Sequence, residues 1–155
     1  MYRKTEDPQL VLEIPGLPPS TNQLYSNFRG RRVLSAQGKR YKRNVAMRVA
    51  KEFPTAGPFT VEDPFSLKIA LHFDIHTRTK GAKNRYKKFD ISNRVKVLED
   101  AICESFGIDD RQVLHLEVIK CPTEGPERTT VTLRKLQIDT KQPSSDNSVS
   151  TTGSE

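Results

Sequence analysis

The chain has 155 residues, a length that predicts one domain, and its 26 Lys plus Arg against 19 Asp plus Glu favour a polyanionic partner, nucleic acid first. Only 34% of the residues are hydrophobic, and no apolar run approaches the roughly 18 residues of a membrane span, which excludes a transmembrane helix. The two cysteines form no CxxC pair, so no zinc site or disulfide framework is expected, and the compartment expected is a reducing cytoplasm.

The first elements are a strand and a helix. Apolar residues alternate over residues 10–14, which predicts a short strand, and a turn-rich segment follows over residues 15–22. Residues 36–53 place apolar side chains at helical spacing. Ser35 is the expected N-cap of this helix, and Pro54 the expected stop.

The second half predicts a strand, a helix and two further strands. Every odd position is apolar over residues 65–75, typical of a strand with one buried face. A helix is predicted over about 92–106, ended by Gly107. Alternating runs at 113–120 and 129–135 flank a turn and predict an antiparallel pair. The order predicts an α+β fold, one small domain whose mixed or antiparallel sheet packs with two α-helices.

The end of the chain differs in composition from the rest. Residues 137–155 are polar and rich in Ser and Thr, so we expect a disordered tail. The folded domain is then expected to span residues 1–136 and to carry a net charge of +9.

Two basic runs contain no acidic residue. Arg29–Arg48 holds eight basic residues, and Arg78–Lys88 holds six in eleven. Such runs favour a phosphate backbone, and Tyr41, Tyr86 and Phe89 could stack on unpaired bases, although a solvated helix face, a flexible loop and a core anchor at Phe89 are the alternatives. An RNA-binding domain is disfavoured, because the chain has no RNP-like aromatic motif and no GXXG loop. The residues expected to bind nucleic acid are Asn22, Arg29, Arg31, Arg32, Lys39, Arg40, Arg43, Lys83, Arg85, Lys87, Lys88, Phe89 and Asn93.

Acidic residues follow the second basic run. Asp90 precedes the second helix, Glu99 and Asp100 lie on its polar side with Lys96, and Asp110 follows it. Phosphodiester hydrolysis uses Mg²⁺, a hard ion that a few carboxylates hold, and a lysine could stabilise phosphate charge. The alternative is that these acids are ordinary surface residues. The acids could meet only if the fold brings the strand after the helix beside the helix start.

The segment from Asp90 to Asp110 resembles the RusA-type endodeoxyribonucleases, the Holliday junction resolvases of bacteria and prophages. Their signature is a D-x-D-N-x-x-K helix start followed by a DD pair, and the PPSTN loop at residues 18–22 is similar to a second family motif. The resemblance covers roughly residues 10–136. It implies a homodimer that binds branched DNA and uses Mg²⁺, with Mn²⁺ as the other candidate, to nick four-way junctions symmetrically. It assigns catalytic roles to Asp90, Lys96 and Asp110, with the two aspartates as metal ligands.

One position departs from the family signature, because Ser92 stands where the second aspartate of D-x-D is expected. Our hypothesis is that Glu99 or Asp100 supplies the missing ligand, with Ser92 capping the helix or contacting a water of the metal's shell. The alternative is a catalytically weak or inactive protein that still binds branched DNA.

Overall fold

The helices and strands are described by a computed structural model over residues 9–54, 60, 62–74 and 90–137. The expected residues Lys83, Arg85, Lys87, Lys88 and Phe89, and most of the expected tail, lie outside that part of the chain. The described elements, in chain order, are β1 (Gln9–Pro15), α1 (Thr21–Leu24), β2 (Tyr25–Phe28), β3 (Arg31–Leu34), α2 (Ala36–Glu52), β4 (Phe65–Asp74), α3 (Ser92–Phe106), a 3₁₀ turn (Asp110–Gln112), β5 (Val113–Thr123) and β6 (Arg128–Lys135).

Helix α2 begins, and helix α3 ends, at the residue predicted from the sequence. The Ser35 side chain accepts a hydrogen bond from the Gly38 backbone N–H, so the predicted N-cap of α2 is confirmed. Helix α3 ends at Gly107, whose φ of 67° lies in the left-handed region that glycine adopts without strain. Both predicted helices are therefore confirmed.

The main sheet has four strands in the order β1-β6-β4-β5. Strand β6 pairs antiparallel with both β1 and β4, whereas β5 pairs parallel with β4. The sheet is mixed, as the predicted α+β class allows, but the predicted antiparallel pairing of the last two strands is wrong. The reason is that β4, whose core-facing side chains are all buried, lies between β5 and β6 in the sheet. Strand β5 therefore pairs with β4 and forms the edge of the sheet.

Both long helices pack on one face of this sheet. The core-facing side chains of β4, at every second position from Phe65 to Phe73, are at most 3% exposed and belong to one core with Val45 and Val49 of α2. Leu98 and other apolar residues of α3 belong to the same core. This burial is the main favourable term in folding and holds the start of α3 against the sheet. No helix in the described part of the chain is long and apolar enough to cross a membrane.

A second sheet of two strands was not predicted. Strands β2 and β3 form a hairpin whose turn residues, Arg29 and Gly30, both have positive φ, at 49° and 74°. Two successive positive φ angles are those of a type I′ turn, which suits the twist of a two-stranded hairpin. The hairpin projects between α1 and α2 and carries the first part of the basic run at residues 29–48.

Candidate active site

Asp90 organises the start of α3. One of its carboxylate oxygens accepts the Ser92 backbone N–H at 2.9 Å, and the other accepts the Asn93 side-chain amide at 2.8 Å. The capping role proposed for Ser92 is thus wrong, because the Asp90 carboxylate satisfies the first free N–H group of the helix, whereas Ser92 is itself the first helical residue. Asp90 is exposed, so its remaining lone pairs face solvent.

The ammonium of Lys96 joins the helix to the turn that follows it. Its Nζ lies 2.9 Å from Asp100 Oδ1, 2.9 Å from Asp110 Oδ2 and 3.9 Å from Glu99 Oε2. The hydrogen bonds to Asp100 and Asp110 raise the pKa of Lys96 above its ordinary value, so the side chain is cationic at neutral pH. The sequence placed Lys96, Glu99 and Asp100 on one polar side of the helix, and the structure brings all three together.

Glu99 is the least exposed acid of this group. Its side chain is 15% exposed, compared with 27% for Asp100 and 48% for Asp110. Burial raises the pKa of Glu99, and the positive charge of Lys96 opposes that rise. A nearby cation stabilises the ionised form of a partly desolvated carboxylate, so any positive charge held at this position stabilises ionised Glu99.

A chain reversal returns Asp110 to the helix. The N–H of Ile108 donates to the Cys103 carbonyl oxygen, and Ile108 is buried, which fixes the turn after Gly107. The reversal brings the residues after the helix back alongside it, so Asp110 reaches Lys96. The structure thus brings Asp110 to Lys96, whereas the hydrogen bonds of Asp90 go to Ser92 and Asn93. The meeting of Asp90 with Asp110 stays a prediction.

The two aspartates of the DD pair face different partners. Asp109 accepts the backbone N–H of Arg111 and pairs with its guanidinium at 2.7 Å. These hydrogen bonds from Arg111 hold the pKa of Asp109 well below its usual range. Asp109 therefore stabilises the 3₁₀ turn, and Asp110 is the member that faces Lys96.

The PPSTN loop packs on the first turn of α3. The Thr21 hydroxyl donates to the Asn93 carbonyl oxygen at 2.6 Å, and the Arg94 guanidinium donates to the Pro18 carbonyl oxygen. Asn22, in the one-turn helix α1, is exposed. These two hydrogen bonds tie the loop to the start of α3, and Asn22 stays accessible to a ligand.

A cleft of about 370 Å³ opens beside Lys96, toward the hairpin. Thr21, Tyr25, Arg32 and Lys96 contribute to its walls, so two cations share one concave surface. The Arg32 guanidinium lies 4.4 Å from the centre of the Tyr25 ring, a cation–π contact that holds it at the rim. The hairpin wall was not predicted from the sequence, although Gly30 is of the residue type that favours a turn.

The predicted nucleic-acid residues that the structure describes are solvent-exposed. They are Asn22, Arg29, Arg31, Arg32, Lys39, Arg40, Arg43 and Asn93. Tyr41 is different, because its hydroxyl is buried without a hydrogen-bond partner among the described residues, and burial raises its pKa. Its ring is half-buried and packs against the core, so stacking of Tyr41 on bases stays a prediction.

The geometry around Lys96 also bears on which side chains could hold a metal ion. Within the described ranges, no three His, Cys, Asp or Glu side chains are grouped as the ligands of one ion. The carboxylates of Glu99, Asp100 and Asp110 instead converge on the Lys96 ammonium. Their oxygens are of the hard type that Mg²⁺ prefers, so the chemistry of the donors suits the ion, and a cation already sits among them.

Comparisons with known proteins identify the family. A family model described as Endodeoxyribonuclease RusA matches residues 15–134. The Crossover junction endodeoxyribonuclease RusA of Escherichia coli is 29% identical over 120 residues, covering 77% of this chain and 89% of that protein. The protein of that name from Enterobacteria phage 82 is 29% identical and that from Shigella sonnei 28% identical, with the same coverage. Because the family match extends from the end of β1 almost to the end of β6, the chain belongs to the RusA family and is an endodeoxyribonuclease.

Proposed function

We propose that this protein is a Mg²⁺-dependent, structure-selective endonuclease that resolves four-way DNA junctions by paired nicks in recombination and repair. The observation that carries the proposal is the set of three carboxylates around Lys96, beside a cleft whose other wall carries Arg32. Carboxylates hold a divalent ion, and cations hold the phosphates of its substrate. The relatives named crossover junction endodeoxyribonucleases support a branched substrate.

The residues proposed to hold the ion are Asp90, Asp110 and one or both of Glu99 and Asp100. Mn²⁺ is proposed as a substitute for Mg²⁺. Asp90 keeps free lone pairs toward solvent. The ion would supply Lewis acidity at the phosphodiester and a nearby activated water. For it to bind among Glu99, Asp100 and Asp110, the Lys96 ammonium must turn outward, which its 58% exposure permits.

The chain's own residues then act on the DNA. Lys96, displaced toward the cleft, would donate hydrogen bonds to the scissile phosphate and stabilise the charge that builds up on its oxygens. Arg32, across the cleft, would hold an adjoining phosphate, because a guanidinium presents two parallel donors to phosphate oxygens. Exposed Lys39, Arg40 and Arg43 on α2 would extend the contact along the backbone.

A second candidate function is a branched-DNA-binding protein with weak or no catalysis. The observation that favours it is Ser92, which offers a hydroxyl where the family signature has a carboxylate. The loss of one negative charge weakens the attraction for a divalent ion, and the basic surface does not depend on that charge. The two candidates therefore share a substrate and differ in metal affinity.

We further propose that the protein works as a homodimer, since two symmetric nicks need two active sites. The outer edge of β5 supports this, because it is an edge strand of the sheet whose Leu114 and Leu116 are 50% and 43% exposed. Exposed apolar residues on an edge strand are suited to contact with a second copy. Light scattering of the wild type and of Leu116→Glu should give the masses of a dimer and a monomer, and a monomeric wild type would contradict this proposal.

The test of the nuclease proposal is cleavage of a labelled four-way junction and of a linear duplex of the same sequence, with and without Mg²⁺. We expect the wild type to nick the junction only with the metal and Asp90→Asn to bind it without nicking. Tight junction binding without cleavage in either Mg²⁺ or Mn²⁺ would favour the binding protein instead. Equal affinity for junction and duplex would contradict both candidates.

The identity of the replacement ligand has its own test. Calorimetric titration of Mg²⁺ into the wild type, Glu99→Gln and Asp100→Asn compares the two carboxylates without requiring cleavage. Glu104→Gln is the matched control, because Glu104 lies on the same helix but pairs with Lys42 at 2.6 Å. Unchanged Mg²⁺ affinity in both test variants would refute the proposal that Glu99 or Asp100 replaces the missing aspartate.

A further inference from the structure

Packing against the rest of the protein does not explain the side chains of the β2–β3 hairpin. Seven of its eight strand residues are exposed, and only Leu34 is partly buried. It joins no strand of the main sheet and is anchored at its base, where the Ser35 N–H donates to the Leu24 carbonyl oxygen at 2.6 Å. An exposed two-stranded hairpin is marginally stable by itself, so its large side chains are better explained by contact with a partner.

The two faces of the hairpin carry different side chains. Pairing of Tyr25 with Leu34 and of Asn27 with Arg32 places Tyr25 and Arg32 on one face, which lines the cleft beside Lys96. The other face carries Phe28 and its cross-strand partner Arg31. The hairpin thus presents a cation toward the proposed active site and an aromatic ring at its far end.

The Phe28 ring at the tip of the hairpin is exposed and lies beside a positively charged side chain. Phe28 is 60% exposed, and the Arg29 guanidinium lies 5.4 Å from its ring centre. No acidic residue occurs between Arg29 and Arg48, so the tip attracts an anionic chain. An exposed ring beside arginines matches the requirements of an unpaired nucleotide, whose base stacks on the ring and whose phosphate binds the cation.

We propose that the hairpin is an arm that holds unpaired nucleotides beside the cleavage site, with Phe28 stacked on a base and Arg29 and Arg31 on the adjoining phosphates. The inference rests on the proposed function and specifies the DNA state that the protein selects. Phe28 lies three residues beyond Tyr25 along β2, so the tip lies roughly 10 Å beyond the cleft at about 3.3 Å per residue. Bases within a duplex are already stacked on each other, so the ring contributes only where strands separate.

The test is binding to a four-way junction that carries 2-aminopurine at the branch point, in Ca²⁺ to prevent cleavage. We expect Phe28→Ala to lose the fluorescence change and to bind the junction about 5- to 150-fold more weakly, the range of one base–aromatic stack. Affinity for a linear duplex of the same sequence should stay within about twofold. Phe28→Trp should restore junction binding, because it keeps an aromatic face.

Met47→Ala is the matched control, since Met47 is another exposed apolar side chain, 64% exposed, on the basic helix α2. It should bind like the wild type. Equal junction binding by wild type and Phe28→Ala, or equal losses on junction and duplex, would overturn the inference while leaving the nuclease proposal in place. A wild type that does not prefer the junction to the duplex would overturn both.

Discussion

Replacement of Lys96 by methionine should separate metal affinity from catalysis. The Lys96 ammonium lies 2.9 Å from two carboxylates and 3.9 Å from a third, so it occupies the position that a divalent ion would share. Methionine keeps much of the length and apolar surface of the side chain but removes the charge. We therefore expect Lys96→Met to bind Mg²⁺ more tightly and to cleave junctions more slowly.

The size of the gain follows from the distances. An ammonium about 4 Å from a divalent ion repels it by about 2 kcal/mol in a water-like dielectric, and the 58% exposure of Lys96 makes that dielectric the appropriate one. Screening by salt reduces the repulsion to about 1–2 kcal/mol, which corresponds to roughly 5- to 30-fold tighter binding. Loss of a donor to the scissile phosphate should lower the cleavage rate by roughly 100-fold.

Calorimetry with Mg²⁺ and single-turnover junction cleavage measure the two effects separately. Lys42→Met is the matched control, because Lys42 pairs with Glu104 of the same helix at 2.6 Å but contacts none of the three carboxylates. It should change neither quantity more than about twofold. Unchanged or weaker Mg²⁺ affinity in Lys96→Met would refute the reasoning, since the lysine and the ion would then not share a site.

Three further predictions concern stability. Asp63→Asn should destabilise the protein at neutral pH, because the hydrogen bond from Lys135 lowers the pKa of Asp63. That contribution is present above the unfolded-state pKa and is lost as pH falls through the lower folded-state pKa, so urea unfolding of the two proteins should converge once the pH is below the folded-state pKa. Gly38→Ala should cost about 1–3 kcal/mol in urea unfolding, because the added Cβ would lie 3.0 Å from the Leu24 backbone oxygen as well as 2.8 Å from Leu34 Cδ1. Ile69→Ala, at a fully buried position on β4, should cost about 2–5 kcal/mol in the same assay.

Each stability prediction has an outcome that contradicts it. A constant difference between wild type and Asp63→Asn across the acid range would show that the ionised carboxylate is not what stabilises the fold. A stabilised Gly38→Ala would show that helix propensity outweighs the steric contact. Met47→Ala, at an exposed position on α2, is the control for Ile69→Ala and should stay within about 0.5 kcal/mol. Equal losses of stability in these two variants would show that burial of Ile69 is not what stabilises the fold.

The long elements could be predicted because periodicity reports which side of an element is buried. Apolar residues at every second position identified β4, and helical spacing with caps identified α2 and α3. Periodicity does not report which strand is the neighbour, so β5 and β6 were paired with each other when each in fact pairs with β4. The hairpin was missed because its four-residue strands are exposed on both faces and carry no apolar alternation.

The site could be predicted in part for a similar reason. Helical geometry placed Lys96, Glu99 and Asp100 together, since they lie within one turn of α3. The approach of Asp110 depends on the reversal after Gly107 and on the buried Ile108, which spacing alone does not determine. The ligand roles of these residues and the boundary of the tail at residue 137 stay predictions.

The strand order has a consequence for biosynthesis. The last strand of the main sheet, β6, lies in its interior, between β1 and β4, so Ile14 pairs with Thr129 across almost the whole described chain. Until β6 leaves the ribosome, β4 has one open hydrogen-bonding edge and β1 has no partner in the sheet. A prematurely terminated chain that lacks β6 has nothing to join β1 to β4, so the sheet on which α3 packs is completed only when the last strand has been synthesised.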